Sequence, residues 1–230
     1  MRRLSALFAL LLLLAGPARA APPDATDFLF RLGMLQGHLM IGRELIDAGQ
    51  TRLAMPHFGH PVRELYDDIA PWLDANKVPS FEASLVRLEA AVASAPRAPA
   101  TLALYDQVLA TLQSARATTP AALRDSIPQM IQVCADTIDA AAGEFSEALK
   151  GGRIDSVVEY HDSRGFLSYV AAELDRLGRL AGDTAPVQAM RGVLARAQRI
   201  VDPLIPGTQP KATVAGYRAI AADAARVAGK

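Results

Sequence analysis

Cysteine is almost missing from this chain: Cys134 is the only one in 230 residues. A single thiol closes no internal disulfide and builds no cysteine metal cluster, and without a CxxCH segment there is no covalent haem attachment. Stability must therefore come from an apolar core. An excess of either charge is missing too, since 24 basic residues face 24 acidic ones. Without a basic surplus there is no electrostatic footprint for nucleic acid or for an anionic membrane surface. Long apolar runs are confined to the start, where Leu4 to Ala15 falls short of the roughly 20 residues needed to cross a bilayer. The chain also has no G-x-S-x-G, no phosphate-binding loop, no G-x-G-x-x-G and no ferritin-type E-x-x-H pair, which removes the common nucleophile, nucleotide and di-iron signatures.

The apolar start reads as an export signal. Arg2 and Arg3 give the positive beginning, and Ala18-Arg19-Ala20 gives a small-x-small cleavage site. Residues 1–20 are thus expected to be removed and the product to be periplasmic or secreted. Losing Arg2, Arg3 and Arg19 and no acid leaves 21 basic against 24 acidic residues, a formal charge of −3.

From Asp24 onward the periodicity is helical throughout. Phe28, Leu32, Leu35, Leu39, Gly42 and Ile46 recur at steps of three and four, with Met34, His38, Ile41 and Leu45 beside them, so His38 points into the protein. Further helices are expected near 61–73, 80–95, 99–116, 127–150, 154–180, 185–201 and 211–228, and no segment alternates as a strand would. The fold class is all-α: about eight helices in a bundle, read as two four-helix halves, 21–118 with the histidines and 119–230. An echo supports the halves. Gly42-Arg43-Glu44-Leu45 resembles Ala142-Gly143-Glu144-Phe145, and His57-Phe58-Gly59-His60 falls against Glu159-Tyr160-His161-Asp162. Chance similarity between two alanine-rich stretches competes evenly with duplication. If the copy is real, the two clusters meet across a pseudo-twofold axis and His161 joins the other three histidines.

Three of the four histidines, His38, His57 and His60, fall within 23 residues, together with Glu44 and Glu64. His57-x2-His60-x3-Glu64 puts three potential ligands within two helical turns. Pro61 is suited to the first position of a new helix, whose positive end would hold the His57 and His60 rings neutral. Imidazole with carboxylate suits iron, copper or zinc. The candidate ligands are His38, His57, His60 and Glu64, with Glu44, Glu159, His161 and Asp162 in support. The competing reading gives the histidines a purely local role, capping the kinked turn and pairing with Glu64, in a structural or interaction module. Catalysis ranks third, because no nucleophile with a positioned base can be named and only a metal-activated water remains.

The leader, the helical bundle, and Gly37-His38 followed by Glu44 resemble the imelysin family of periplasmic, iron-associated helical proteins. Their G-x-H-x-x-E pattern is altered here: Gly37 directly precedes His38, and Glu44 follows six residues later. The resemblance implies an iron-related binding role and no peptidase activity. Its expected partners are a metal ion or small ligand and another periplasmic or membrane-complex protein.

Overall fold

A computed structural model describes residues 24–230. The leader read at 1–20 lies outside the described residues. The first helix, α1 (Ala25–Asp47), starts where the Asp24 carboxylate accepts from the Asp27 amide at 2.8 Å. It is followed by α2 (Thr51–Ala54), α3 (Pro56–His60), a π-turn at Pro61–Leu65 and α4 (Tyr66–Ala75). After these come α5 (Glu82–Ser94), α6 (Pro99–Ala117) and α7 (Ala121–Arg124). The second half holds α8 (Ile127–Glu147), α9 (Val157–Ala181), α10 (Ala185–Gln198) and α11 (Val214–Val227). Among the described residues eight helices run ten residues or more, and the all-α expectation stands.

One local expectation changes. Pro61 does not start a fresh helix. Met55, His60 and Pro61 all keep right-handed helical dihedrals, and the chain passes through the π-turn into α4. Proline lacks the amide that an α-helical bond to His57 would need, so the ladder widens there instead of ending. His57 and His60 consequently lie inside a continuous helical path, and the argument from a positive helix end does not apply to them. Pro128 sits in the first turn of α8, where no amide is required, and α9 runs unbroken through His161 to Gly165. Finally, Gly151 and Gly152 take φ of +59° and +75° and turn a two-residue hairpin between Leu149–Lys150 and Arg153–Ile154.

Helices α8, α9, α10 and α11 pack on one another around Cys134, Ile138, Phe145, Leu174, Met190 and Tyr217. Burial pushes the Cys134 thiol far up, so it is an inert core residue. Helix α1 lies along α9 and serves two cores. Its Leu29 joins the four-helix group, while Phe28, Leu32, Leu35 and Leu39 face Ile69, Trp72, Leu85 and Leu112 of the first half. Phe28 stacks on Trp72 with ring centroids 4.9 Å apart. A buried ion pair ties the halves: the Arg116 guanidinium donates to both Glu173 oxygens at 2.9 and 3.0 Å.

The α1 and α9 backbones meet at Gly37 and Gly165. A methyl at Gly165 would stand 2.5 Å from the Gly37 carbonyl oxygen, and one at Gly37 would stand 3.0 Å from the Gly165 oxygen. Only a missing side chain permits that approach. It brings His38, next to Gly37, against Asp162, one turn upstream of Gly165.

Candidate metal centre

Four elements supply the centre: α1 gives His38, α3 gives His57 and His60, the π-turn gives Glu64, and α9 gives Asp162. Asp162, 2% exposed, is where they converge. His57 Nδ1 donates to its Oδ1 at 2.7 Å, His38 Nε2 lies 3.4 Å from the same oxygen, and His60 Nδ1 lies 3.2 Å from Oδ2. His60 Nδ1 is also 3.8 Å from Glu64 at the rim and makes no aligned hydrogen bond. One ligand atom from each of His57, His60 and Asp162 falls within 4.8 Å of the others, as do those of His38, His60 and Glu64.

Backbone carbonyls fix two of the rings. A carbonyl only accepts, so His38 Nδ1 must carry the proton it gives to Met34 O at 2.9 Å, and His161 Nε2 the one it gives to Leu204 O at 2.7 Å. The free nitrogens are then Nε2 of His38 and Nδ1 of His161. His161 Nδ1 and His57 Nε2 are both buried without a partner. Burial lowers the pKa of His38, against the opposing pull of Asp162, and brings that of His161 down to about 4. A neutral His38 therefore turns a lone pair toward the Asp162 carboxylate. Two acceptors face each other there, an arrangement that a cation between them would turn from repulsive to attractive.

Asp162 is the electrostatic hub. Burial alone would raise its pKa, but the hydrogen bond from His57 and the contact with His60 outweigh that and hold it well below the usual carboxylate range. The contact with Asp162 in turn raises His60. On the other side, Glu144 of α8 and Glu159 of α9 lie within 4.8 Å of Asp162 through one oxygen each. Burial, then the nearby carboxylates, pushes Glu144 up to about 8, and burial with Asp162 raises Glu159.

The remaining sequence candidates fall elsewhere. Both Glu44 oxygens accept from Arg164, at 2.7 and 3.1 Å, and Glu44 stands outside every such ligand group. Arg164 also donates to the Val201 and Asp202 carbonyls, so this pair clamps the loop after α10. The His161 ring packs edge-on to His57 at 5.6 Å, with its Nε2 committed to Leu204. Glu144 had not been singled out as a ligand. Its signal was the echo that sets it against Glu44.

With this geometry in hand, the comparisons locate the bundle. Residues 120–225 match the iron permease-associated 4-helix bundle domain. No curated protein and no solved structure matches the chain. The matched stretch covers α7 to α11 and so contains Glu144, Glu159, His161 and Asp162. The three remaining histidines come from the residues before it. The chain is thus similar to an iron-associated helical-bundle domain.

Proposed function

We propose that the protein is an exported carrier of a transition-metal ion, held by His38, His57, His60 and Asp162 with Glu64 at the mouth. Iron is the cargo that the similarity to the permease-associated bundle domain favours. The observation that carries this reading is the convergence of three imidazoles from α1 and α3 on one buried carboxylate of α9. Structural histidines need no shared anion, and a buried carboxylate is costly unless charge compensates it. The residues fit a metal in donor type and in second-layer support, because the Met34 carbonyl holds His38 with its ligand nitrogen facing inward. When bound, the ion would bring a positive charge that satisfies Asp162 and the His38 lone pair together. In the proposed setting the protein works in the periplasm beside a membrane permease complex and hands its ion over there. The likeness to imelysin is limited to helical architecture, export and iron.

The competing reading, histidines in a purely local role, is favoured at His161, whose Nε2 braces Leu204. Metal analysis and calorimetric titration with Fe(II), without oxygen, and with Cu(II) and Zn(II) separate the two. The proposal expects about one equivalent at the histidine cluster, lost in His57→Ala, His60→Ala and Asp162→Asn. A folded protein that takes up no metal, or variants that bind as well as the wild type, would establish the structural reading instead.

A further inference from the structure

We infer that the chain binds a small oxyanion, one carrying carboxylate or phosphate groups, in a hollow between α1, α6 and α9. The hollow measures about 280 Å³, and its polar lining is Gln36 from α1, Gln113 and Arg116 from α6, and Tyr169, Glu173, Arg176 and Arg179 from α9. It shares no residue with the histidine cluster and goes beyond the proposed function. Three guanidiniums there face one carboxylate, in a chain with no basic surplus overall. Like charges gathered in one hollow repel unless an anion compensates them. Glu173 does not suffice for all three. Its oxygens accept from Arg116 at 2.9 and 3.0 Å and from Arg176 at 2.8 Å, and Asp125 takes another nitrogen of Arg176 at 2.9 Å. Among the described residues Arg179 has neither an ion pair nor a side-chain hydrogen bond, so its charge is left over.

A second observation comes from the neutral groups beside these charges. Gln36 reaches only the Met40 sulfur, at 4.0 Å, and Gln113 makes no side-chain hydrogen bond among the described residues. Arg116 spends its two terminal nitrogens on Glu173, which leaves its Nε–H without a protein acceptor among them. Burial pushes the Tyr169 phenol up, so it keeps its proton and offers a donor instead of a competing charge. The uncommitted charge in the hollow is therefore positive, and two amides, a phenol and a guanidinium edge stand beside it with protons to give. Planar guanidinium and amide donors match the oxygens of carboxylates and phosphates. The volume falls just under the roughly 300–1,000 Å³ of pockets for drug-sized molecules, which sets the ligand at the scale of a small di- or tricarboxylate or a phosphate.

The test titrates the whole exported chain, freed of metal, by calorimetry with sodium citrate and separately with sodium phosphate. The inference expects about one bound anion per chain from at least one probe, with affinity falling as sodium chloride is raised. Citrate binding without phosphate binding identifies a carboxylate ligand, the reverse identifies a phosphate, and either result supports the hollow as an oxyanion site. Arg179→Gln should weaken binding about tenfold, the worth of one charge-assisted hydrogen bond, and Arg179→Glu should abolish it. Both changes fall on an exposed side chain, so the fold is preserved. Arg199→Gln removes an exposed charge outside the hollow and should bind like the wild type. Heat from neither probe, or equal affinity in Arg179→Glu and the wild type, overturns the inference and leaves the histidine site untouched.

Discussion

Gly165→Ala is the substitution that most directly joins the fold to the centre. Its new methyl would lie 2.5 Å from the Gly37 carbonyl oxygen and 2.8 Å from Ile41 Cγ2. Carbon and carbonyl oxygen rest at about 3.3–3.6 Å, so α1 and α9 must separate by roughly 0.8–1.1 Å. The first obstacle is backbone, so no side-chain rotation relieves it. Overpacking of this kind costs about 1–3 kcal/mol, and each kcal/mol lowers the melting temperature of a chain this size by about 2–4 °C. The same shift carries Asp162 away from His38, beyond the roughly 0.5 Å tolerance of a ligand constellation. Metal affinity should then fall by about 10–100-fold, the range seen when support around a metal site is disturbed. Urea denaturation of the metal-free protein reads the first effect, and metal titration reads the second. Gly192→Ala in α10, where a methyl meets nothing within 4 Å, is the control. It should stabilise the protein by about 0.5–1 kcal/mol and leave binding alone. If Gly165→Ala melts like the wild type and binds metal as tightly, the close crossing does not position the centre.

Other outcomes follow from particular residues. Glu173→Leu strands the buried Arg116 guanidinium between the halves and should cost about 3–5 kcal/mol in urea denaturation, whereas a surface-like loss below about 1 kcal/mol would show that the pair does not tie them. Glu144, pushed up to about 8 from 4.5, holds its proton longer folded than unfolded. Its contribution is therefore complete below pH 4.5 and lost as pH rises through about 8. His60, also raised, acts in the same direction above 6.5, so the informative quantity is the difference between proteins: Glu144→Gln should flatten the melting-temperature decline across that window in chelator, and an unchanged slope would refute it. If residues 1–20 form a removed export signal, mass spectrometry of protein recovered from a bacterial periplasm should find Ala21 at its start. Protein retained in the cytoplasm with Met1 in place would contradict export.

Much of the fold was legible because helices carry their own period. The stripe from Phe28 to Ile46 and the prolines and glycines between segments locate the long helices without knowledge of their partners. The π-turn was not legible. Pro61 reads locally as a helix start, and only packing of α3 against α1 and α5 decides that the chain continues through it. Concentration of histidine pointed to the centre, but its hub, Asp162, lies 102 residues beyond His60 and looked like one half of an ordinary carboxylate pair. Glu44 shows the opposite error. It stands one and a half turns from His38 on the same helix, and nothing local reveals that Arg164, from α9, will claim both its oxygens.

The central claim is that three imidazoles and Asp162 share one ion, and anomalous X-ray scattering from crystals loaded with Co(II) or Fe(II), recorded at the metal edge, tests it most directly. The account predicts a peak about 2.0–2.2 Å from Nε2 of His38, from one nitrogen each of His57 and His60, and from an Asp162 oxygen. A peak elsewhere, or none from protein soaked to saturation, with the His57–Asp162 hydrogen bond still in place, would contradict it.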